Sequence, residues 1–432
     1  MSRPTAGFLA EPAIRGALAA IDSATDTAAV HSAERADALL ARIAWSRLTE
    51  PGDRVAHEVL TCIGPEHALL MLMRGTTGTD LLRACERHAA EAEEPHTLSP
   101  DLTVRACTAA LKRWVPRLDR RGAHEDLDRA QQGGLRVVLP EDSLWPRTLV
   151  DLGAHAPLML WVRGDPAHLS STALSVVGSR AASGYGSDVT AEFTAAAAQA
   201  GATIVSGAAY GIDAVAHRTA LHLERPTVAL LAGGADRAYP RAHETLLQRI
   251  GEHGAVCAEM PPGAAPTRWR FLMRNRLIAS LSAATLVTEA GPRSGSLNTA
   301  GHAAEIGRPL GAVPGPVTSA ASRGCHRLIR EYGATLISGT SDVIELLGGD
   351  VGSPTDPSPA DGDGTRQPAT HRRLLDALPL RGTRTLRDAA ARAGLDPDDA
   401  RDAAAELELL GFMTRDETPY GGEERWRLHR RE

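Results

Sequence analysis

The chain is 432 residues long, 43% apolar and 23% charged, with a formal net charge of -6. That length holds about two to three domains, and the acidic balance excludes binding of polyanions through global charge, so any nucleic-acid contact must come from a local basic patch. Five cysteines without a C-x-x-C pair argue against zinc and a disulfide framework, and no apolar run spans a membrane.

Residues 1 to 30 are rich in Ala, Thr and Ser, show no strong period, and are expected to form a flexible lead-in without a targeting signal. A cytoplasmic protein with no membrane partner is therefore expected. From Glu34 the apolar residues Ala36, Leu39, Leu40, Ile43 and Ala44 recur at helical spacing. Further helices are expected over 55–63, 66–73, 79–89 and 103–118, punctuated by Gly64-Pro65 and by Gly75 and Gly78. They define a helical domain over 31–125.

At Gly134 the period changes. Residues 135–139 and 157–162 read as strands. Short apolar strands at 174–177, 202–205, 227–231, 255–258, 284–288, 309–313 and 334–337 then alternate with helices at 186–199, 212–223, 243–253, 270–281, 298–306 and 325–331. A last helix covers 341–347. This alternation predicts a doubly wound, mostly parallel α/β sheet over 130–348. Residues 349–368 are rich in Gly, Pro, Asp and Ser and read as a disordered linker. Over 369–432, three helices and a two-stranded ribbon make a winged-helix pattern.

Ligands of open α/β sheets bind outside the carboxyl ends of the strands. There the sequence places Gly178-Ser179-Arg180, Ser206-Gly207, Tyr239-Pro240-Arg241, Glu259, and Glu289 followed by Ser294-Gly295-Ser296. A Gly/Ser turn opening a helix offers unpaired N–H groups and the positive end of the dipole, and the helix before it carries Arg274, Asn275 and Arg276 as further forks for phosphate or base edges. Glu259 and Glu289 could act as an acid/base pair, or could orient Arg180, Arg274 or Arg276, which is the favoured reading. Tyr239 is either a stacking platform or a turn-packing aromatic.

Several familiar chemistries are excluded. There is no G-x-x-x-x-G-K-[ST], no G-x-G-x-x-G in the first βα turn and no G-x-S-x-G around the serines. Asp213 with His217, and His302 with Glu305, lack a third ligand, so no metal and no cofactor are expected. Several anion nests along one rim suit phosphates repeated along a single-stranded nucleic acid.

Val176 to Arg180, Ser206-Gly207 with Tyr210-Gly211-Ile212-Asp213, Tyr239-Pro240, Glu259 with Pro261-Pro262-Gly263, Arg274-Asn275-Arg276 and Ser294-Gly295-Ser296-Leu297 together resemble the DNA-processing protein A family, also called DprA or Smf. Val313-Pro314-Gly315 and Gly324-Cys325-His326-Arg327 continue the match. The resemblance implies an extended Rossmann-like fold between a SAM-like helical domain and a winged helix. It implies binding of single-stranded DNA without catalysis, protection of that strand and its delivery to the recombinase RecA in natural transformation and recombination, and a homodimer. Gly178, Ser179, Arg180, Arg241, Arg274, Asn275 and Arg276 then fall at phosphate-gripping positions.

The chain departs from that pattern at both ends. Thr49 to Asp53 replaces a helix-hairpin-helix-like Gly-x-Gly-Pro turn. The would-be recognition helix carries Asp396, Asp398, Asp399, Asp402, Glu406 and Glu408 against Arg401, which would repel a duplex, although Arg425, Arg427, Arg430 and Arg431 leave a basic wing. The competing enzyme reading is a nucleoside-monophosphate phosphoribohydrolase using Ser294 to Leu297 with Glu305, but the Pro-Gly-Gly-x-Gly-Thr-x-x-Glu of that family is absent.

Overall fold

Strands whose side chains are buried on both faces must be covered on both, and that requirement shapes the protein. The computed structural model describes residues 11–24, 32–92, 97–349, 369–379, 382–409, 412–416 and 425–429. The chain divides into two compact units, Met1–Ser353 and Pro354–Glu432. The expected linker (apart from Gly349), most of the expected lead-in, and Arg430 and Arg431 lie outside the described residues.

In the first unit, β1 (Leu135–Val138), β2 (Leu160–Gly164), β3 (Ala173–Gly178), β4 (Thr203–Ser206), β5 (Thr227–Leu231), β6 (Ala255–Ala258), β7 (Ala284–Glu289), β8 (Leu310–Ala312) and β9 (Thr335–Leu336) form one nine-stranded sheet. Its order is β1-β2-β6-β5-β4-β3-β7-β8-β9. β1, β2 and β6 pair antiparallel, and β6 through β9 are otherwise parallel. Alternate residues face opposite layers: Ala229 and Leu231 join one core, Val228 and Leu230 another.

The helical module comprises α1 (Pro12–Ile21), α2 (Ala33–Leu48), α3 (Arg54–Ile63), α4 (Pro65–Met73), α5 (Gly78–Glu91), α6 (Val104–Trp114) and α7 (Arg120–Gln132). Its own core holds Trp45 edge-on to Trp114, with centroids 5.0 Å apart, a geometry worth about 0.5–1.5 kcal/mol beyond the buried area. The module is not packed separately, because Leu18, Ile21, Leu39, Ile43 and Leu127 share a core with Trp161 and Val256 of the sheet.

Two helices differ from the sequence expectation. α1 occupies part of the expected flexible lead-in, since Leu18 and Ile21 are buried and Ser23 N–H donates to Val137 O at 3.2 Å beside β1. α7 is so polar that only Ala123, Leu127 and Ala130 supply its buried apolar stripe.

The remaining layers are α8 (Gly184–Gln199), α9 (Ile212–His222), α10 (Glu244–His253), α11 (Arg268–Ser280), α12 (Ser296–Glu305), α13 (Arg323–Glu331) and α14 (Thr340–Leu346). The second unit runs α15 (Ala369–Ala377), β10 (Arg384–Thr385), α16 (Leu386–Ala393), α17 (Pro397–Leu409), β11 (Met413–Asp416) and β12 (Arg425–Leu428), with sheet order β10-β12-β11. Leu374, Ala404, Leu407 and Trp426 lie in its core, leaving Asp398, Asp399, Asp402 and Glu406 exposed on α17. Among the described residues no helix is long and apolar enough to cross a membrane.

Candidate functional site

From β3 the chain builds outward through β4, β5 and β6, then returns through α11 to β7 on the other side of β3. The carboxyl ends of β3 and β7 therefore flank the point where strand order reverses, which opens a crevice in doubly wound sheets. A cleft of about 950 Å³ lies there. Gly178, Ser179, Arg180, Tyr239, Arg274, Asn275, Ser294, Gly295 and Ser296 line it. Ser206, Gly207, Arg241, Arg276, Glu259 and Glu289 do not.

Helical geometry explains the split within Arg274-Asn275-Arg276. Successive residues of an α-helix point about 100° apart, so three in a row cannot serve one ligand. Arg268, Phe271, Asn275 and Ile278 share the face of α11 toward the cleft.

Arg276 turns away from the cleft and is 2% exposed. Its Nη1 and Nη2 donate to the two oxygens of Glu259 at 2.9 Å each, and Nε donates to His155 O at 2.8 Å. Gly52 N–H lies 3.4 Å from Glu259 Oε1, and His155 Nδ1 lies 3.1 Å from Gly52 O. Glu50 meanwhile grips Arg270 through two hydrogen bonds of 2.9 Å. The Thr49-to-Asp53 turn is thus a buckle that fastens the helical module to α11. Glu259 orients an arginine, and that arginine holds the fold.

Arg274 forms the floor of the cleft. It is 6% exposed, and its Nη1 donates to Gly207 O at 2.7 Å and Leu230 O at 2.5 Å, tying the ends of β4 and β5 together. Burial lowers its pKa to about 10 against the pull of Asp213, and its Nε has no partner. Gly207 is glycine because a Cβ there would lie 2.2 Å from Arg274 Nη1. Gly207 N–H donates to Asp213 Oδ2 at 3.2 Å, and Ser206 Oγ donates to Val176 O at 2.6 Å. Ser206 and Gly207 therefore support the floor without reaching the cleft.

The expectation that Glu289 holds an arginine is corrected. Its carboxylate accepts from Ser183 N–H at 3.2 and 3.3 Å and from Ser183 Oγ, sitting at the N-terminus of α8. A carboxylate there satisfies orphan donors and the helix dipole, as a bound anion would. Two N–H groups of the β3 turn are similarly occupied: Ser179 N–H donates to Glu289 O at 2.7 Å, and Ala181 N–H to Ser179 Oγ at 3.2 Å. What the turn presents is the exposed side chain of Arg180.

Among the described residues no carboxylate sits on the N-terminus of α12. Gly295 is its cap residue and makes no side-chain cap bond, while Ser294 and Ser296 share a 2.7 Å hydroxyl contact. Asn275 Nδ2 donates to Asn298 Oδ1 at 3.1 Å and to Gly295 O at 3.4 Å, fixing this turn against α11. Tyr239 is 48% exposed and packs at 5.4 Å on Phe271, over which Arg180 and Arg274 lie at 5.4 and 5.8 Å.

Phe271, Arg268 and Arg293 were not assigned from the sequence. The one-turn spacing of Arg268, Phe271 and Asn275 was the available signal. Arg180, Arg268 and Arg293 are exposed and form no salt bridge among the described residues. Arg241 is exposed but starts the short helix Arg241–His243 outside the cleft. His217 Nδ1 sits 2.7 Å from Thr227 Oγ1, His302 pairs with Glu305 at 3.1 Å, and no metal-holding cluster exists among the described residues.

Residues 136–348 match the family model for DNA recombination-mediator protein A. A putative DNA processing protein DprA of Mycobacterium tuberculosis is 39% identical over 386 residues, covering 85% of this chain and 91% of that relative. The chain belongs to the DNA-processing protein A family. Protein Smf of Escherichia coli is 41% identical over 212 residues, 49% of this chain and 56% of that one. The crystal structure of DNA processing protein A from Streptococcus pneumoniae superposes with a TM-score of 0.55 at 28% identity, covering 72% of this chain and 97% of that one. The family's α/β architecture is therefore present, and its matched segment contains the whole switch-point cleft.

Proposed function

We propose that the protein binds single-stranded DNA in the cleft between β3 and β7, shields that strand, and hands it to the recombinase RecA during DNA uptake and recombination. In this reading it works in the cytoplasm as a homodimer and leaves the strand uncut. The observation that carries the proposal is the composition of the cleft. Arg180, Arg268 and Arg293 approach it without carboxylate partners among the described residues, beside the Tyr239–Phe271 aromatic pair. Free guanidiniums suit phosphates, and tilted aromatic faces suit unstacked bases of any sequence. RecA delivery, dimerisation and absence of cleavage rest on the family resemblance.

Fluorescence anisotropy with a single-stranded oligonucleotide and the matching duplex tests the binding. The single strand should bind more tightly and with a steep salt dependence, while the oligonucleotide and AMP both remain intact. Equal affinity for the two forms, or release of ribose 5-phosphate from AMP, would overturn the proposal. Delivery is tested by RecA filament formation on the bound strand, which the protein should accelerate.

A further inference from the structure

A second cleft, of about 380 Å³, opens along the seam between the helical module and the sheet. Arg47, Arg117, Arg129 and Arg270 face it across the backbone of residues 260–264. Each guanidinium is held by a carboxylate. Arg47 donates through Nε and Nη2 to Asp126 at 2.9 Å each, and Arg129 Nη1 lies 3.9 Å from the same carboxylate. Arg117 and Arg270 share Glu50, at 3.0 and 2.9 Å. The side chain of Asp126 is 0% exposed, and neither Glu50 nor Glu125 lines the cleft. Glu125 lies 3.5 Å from Arg129 Nη2, so four guanidiniums face the cleft against three carboxylates, of which only the buried Asp126 lies in its lining.

Forks fixed this way have lost their rotamer freedom before any ligand arrives, which favours recognition of a planar or tetrahedral oxyanion. Arg117 and Arg129 are each 42% exposed and keep donors beyond those facing their carboxylates. The seam also adjoins the first cleft. Pro266 and Thr267 line the one and Ala264 the other, while α11 sends Arg268 into the first and Arg270 into the second.

We propose that the seam is a second phosphate site, occupied by the continuation of the single strand held between β3 and β7. This rests on the reading above, since the strand must first enter the main cleft. A repeating phosphodiester fits two neighbouring cationic clefts better than a lone nucleotide, which would fill only one.

Anisotropy with oligothymidylates of about 6 and about 20 nucleotides separates the two clefts, the shorter being near the low end of single-strand site sizes. The full-length protein carrying Arg117→Ala with Arg129→Glu is compared with the unaltered one. The variant should bind the long oligonucleotide about tenfold more weakly, with the salt slope lowered by about 1.4 for two lost phosphate contacts, and the short one within twofold. Arg129→Gln, which leaves the Glu50 pairing intact, should show about half the change in slope. An unchanged long-oligonucleotide affinity and slope in both variants would overturn the seam site. So would an ADP titration that saturates an Arg129-dependent site without displacing the long strand, because the occupant would then be a free nucleotide. If the unaltered protein bound neither oligonucleotide, the main-cleft reading would fail instead.

Discussion

Replacing Arg276 by alanine should loosen the fold and leave the grip on DNA almost unchanged. The side chain is 2% exposed and its partner Glu259 is 13% exposed. Alanine would remove two hydrogen bonds of 2.9 Å to Glu259 and leave the carbonyls of His155 and Met273 without the donors now 2.8 Å away. Removing one partner of a buried ion pair costs about 3–5 kcal/mol, because the other charge stays behind uncompensated. Replacing both with apolar residues of similar volume, Arg276→Met with Glu259→Met, should recover much of that loss. Urea unfolding of the two variants against the unaltered protein measures the loss and its recovery, and short-oligonucleotide anisotropy below the unfolding transition measures binding. An unfolding midpoint equal to that of the unaltered protein, together with a tenfold loss of affinity, would refute this reasoning and return Arg276 to the DNA.

Arg180→Ala should do the reverse: stability changes by less than about 0.5 kcal/mol, affinity for single strands falls by about 1.5–3 kcal/mol, and the salt slope drops by about 0.7. A slope that stays the same would mean that Arg180 meets no phosphate. Gly207→Ala should destabilise by about 1–3 kcal/mol and weaken binding too, because the new Cβ would lie 2.2 Å from the buried Arg274 guanidinium; a midpoint within error of the original would contradict it. Burial, with His243 and Arg274 nearby, pushes the His217 pKa down from 6.5 to about 3. The unfolded chain then takes up a proton that the native state refuses, so this group's stabilisation is complete above pH 6.5 and is lost as pH falls toward 3, by up to about 5 kcal/mol. His217→Asn should flatten urea midpoints between pH 7 and 4 relative to the unaltered protein, and parallel profiles would rule that out.

The sheet was legible because most strands are short apolar runs and many are followed by glycine or serine, and all nine expected strands are present. The switch point was not, since strand order depends on where the crossover through α11 returns. Leu18 and Ile21 bury α1 against residues far along the chain, so its local sequence carried little period. Residue types at the site were legible, while their directions were not. Arg274, Asn275 and Arg276 are adjacent in sequence, yet they bond to strand ends, to the α12 turn, and to Glu259 with the backbone of His155, respectively. Arg268 and Phe271 went unassigned because their one-turn spacing does not say which face of α11 meets the crevice.

Pairing also explains how a chain of net charge -6 can present a basic cleft. Many of its arginines are spent on internal carboxylates: Arg35 on Asp22 and Asp142, Arg47 on Asp126, Arg270 on Glu50, Arg276 on Glu259. Those pairs contribute little net field at a distance, so Arg47 and Arg270 would act in the seam only as short-range donors beside the more exposed Arg117 and Arg129. The same rule operates at the two helix N-termini flanking the crevice. Glu289 fills the one at α8 with the protein's own anion, and Gly186 there would meet Glu289 Oε2 at 2.6 Å if it carried a Cβ. The one at α12 is held by Asn275 and has no carboxylate on it among the described residues. In the proposed reading an incoming phosphate is offered one helix terminus and the arginines around it, and the position of Glu289 decides which.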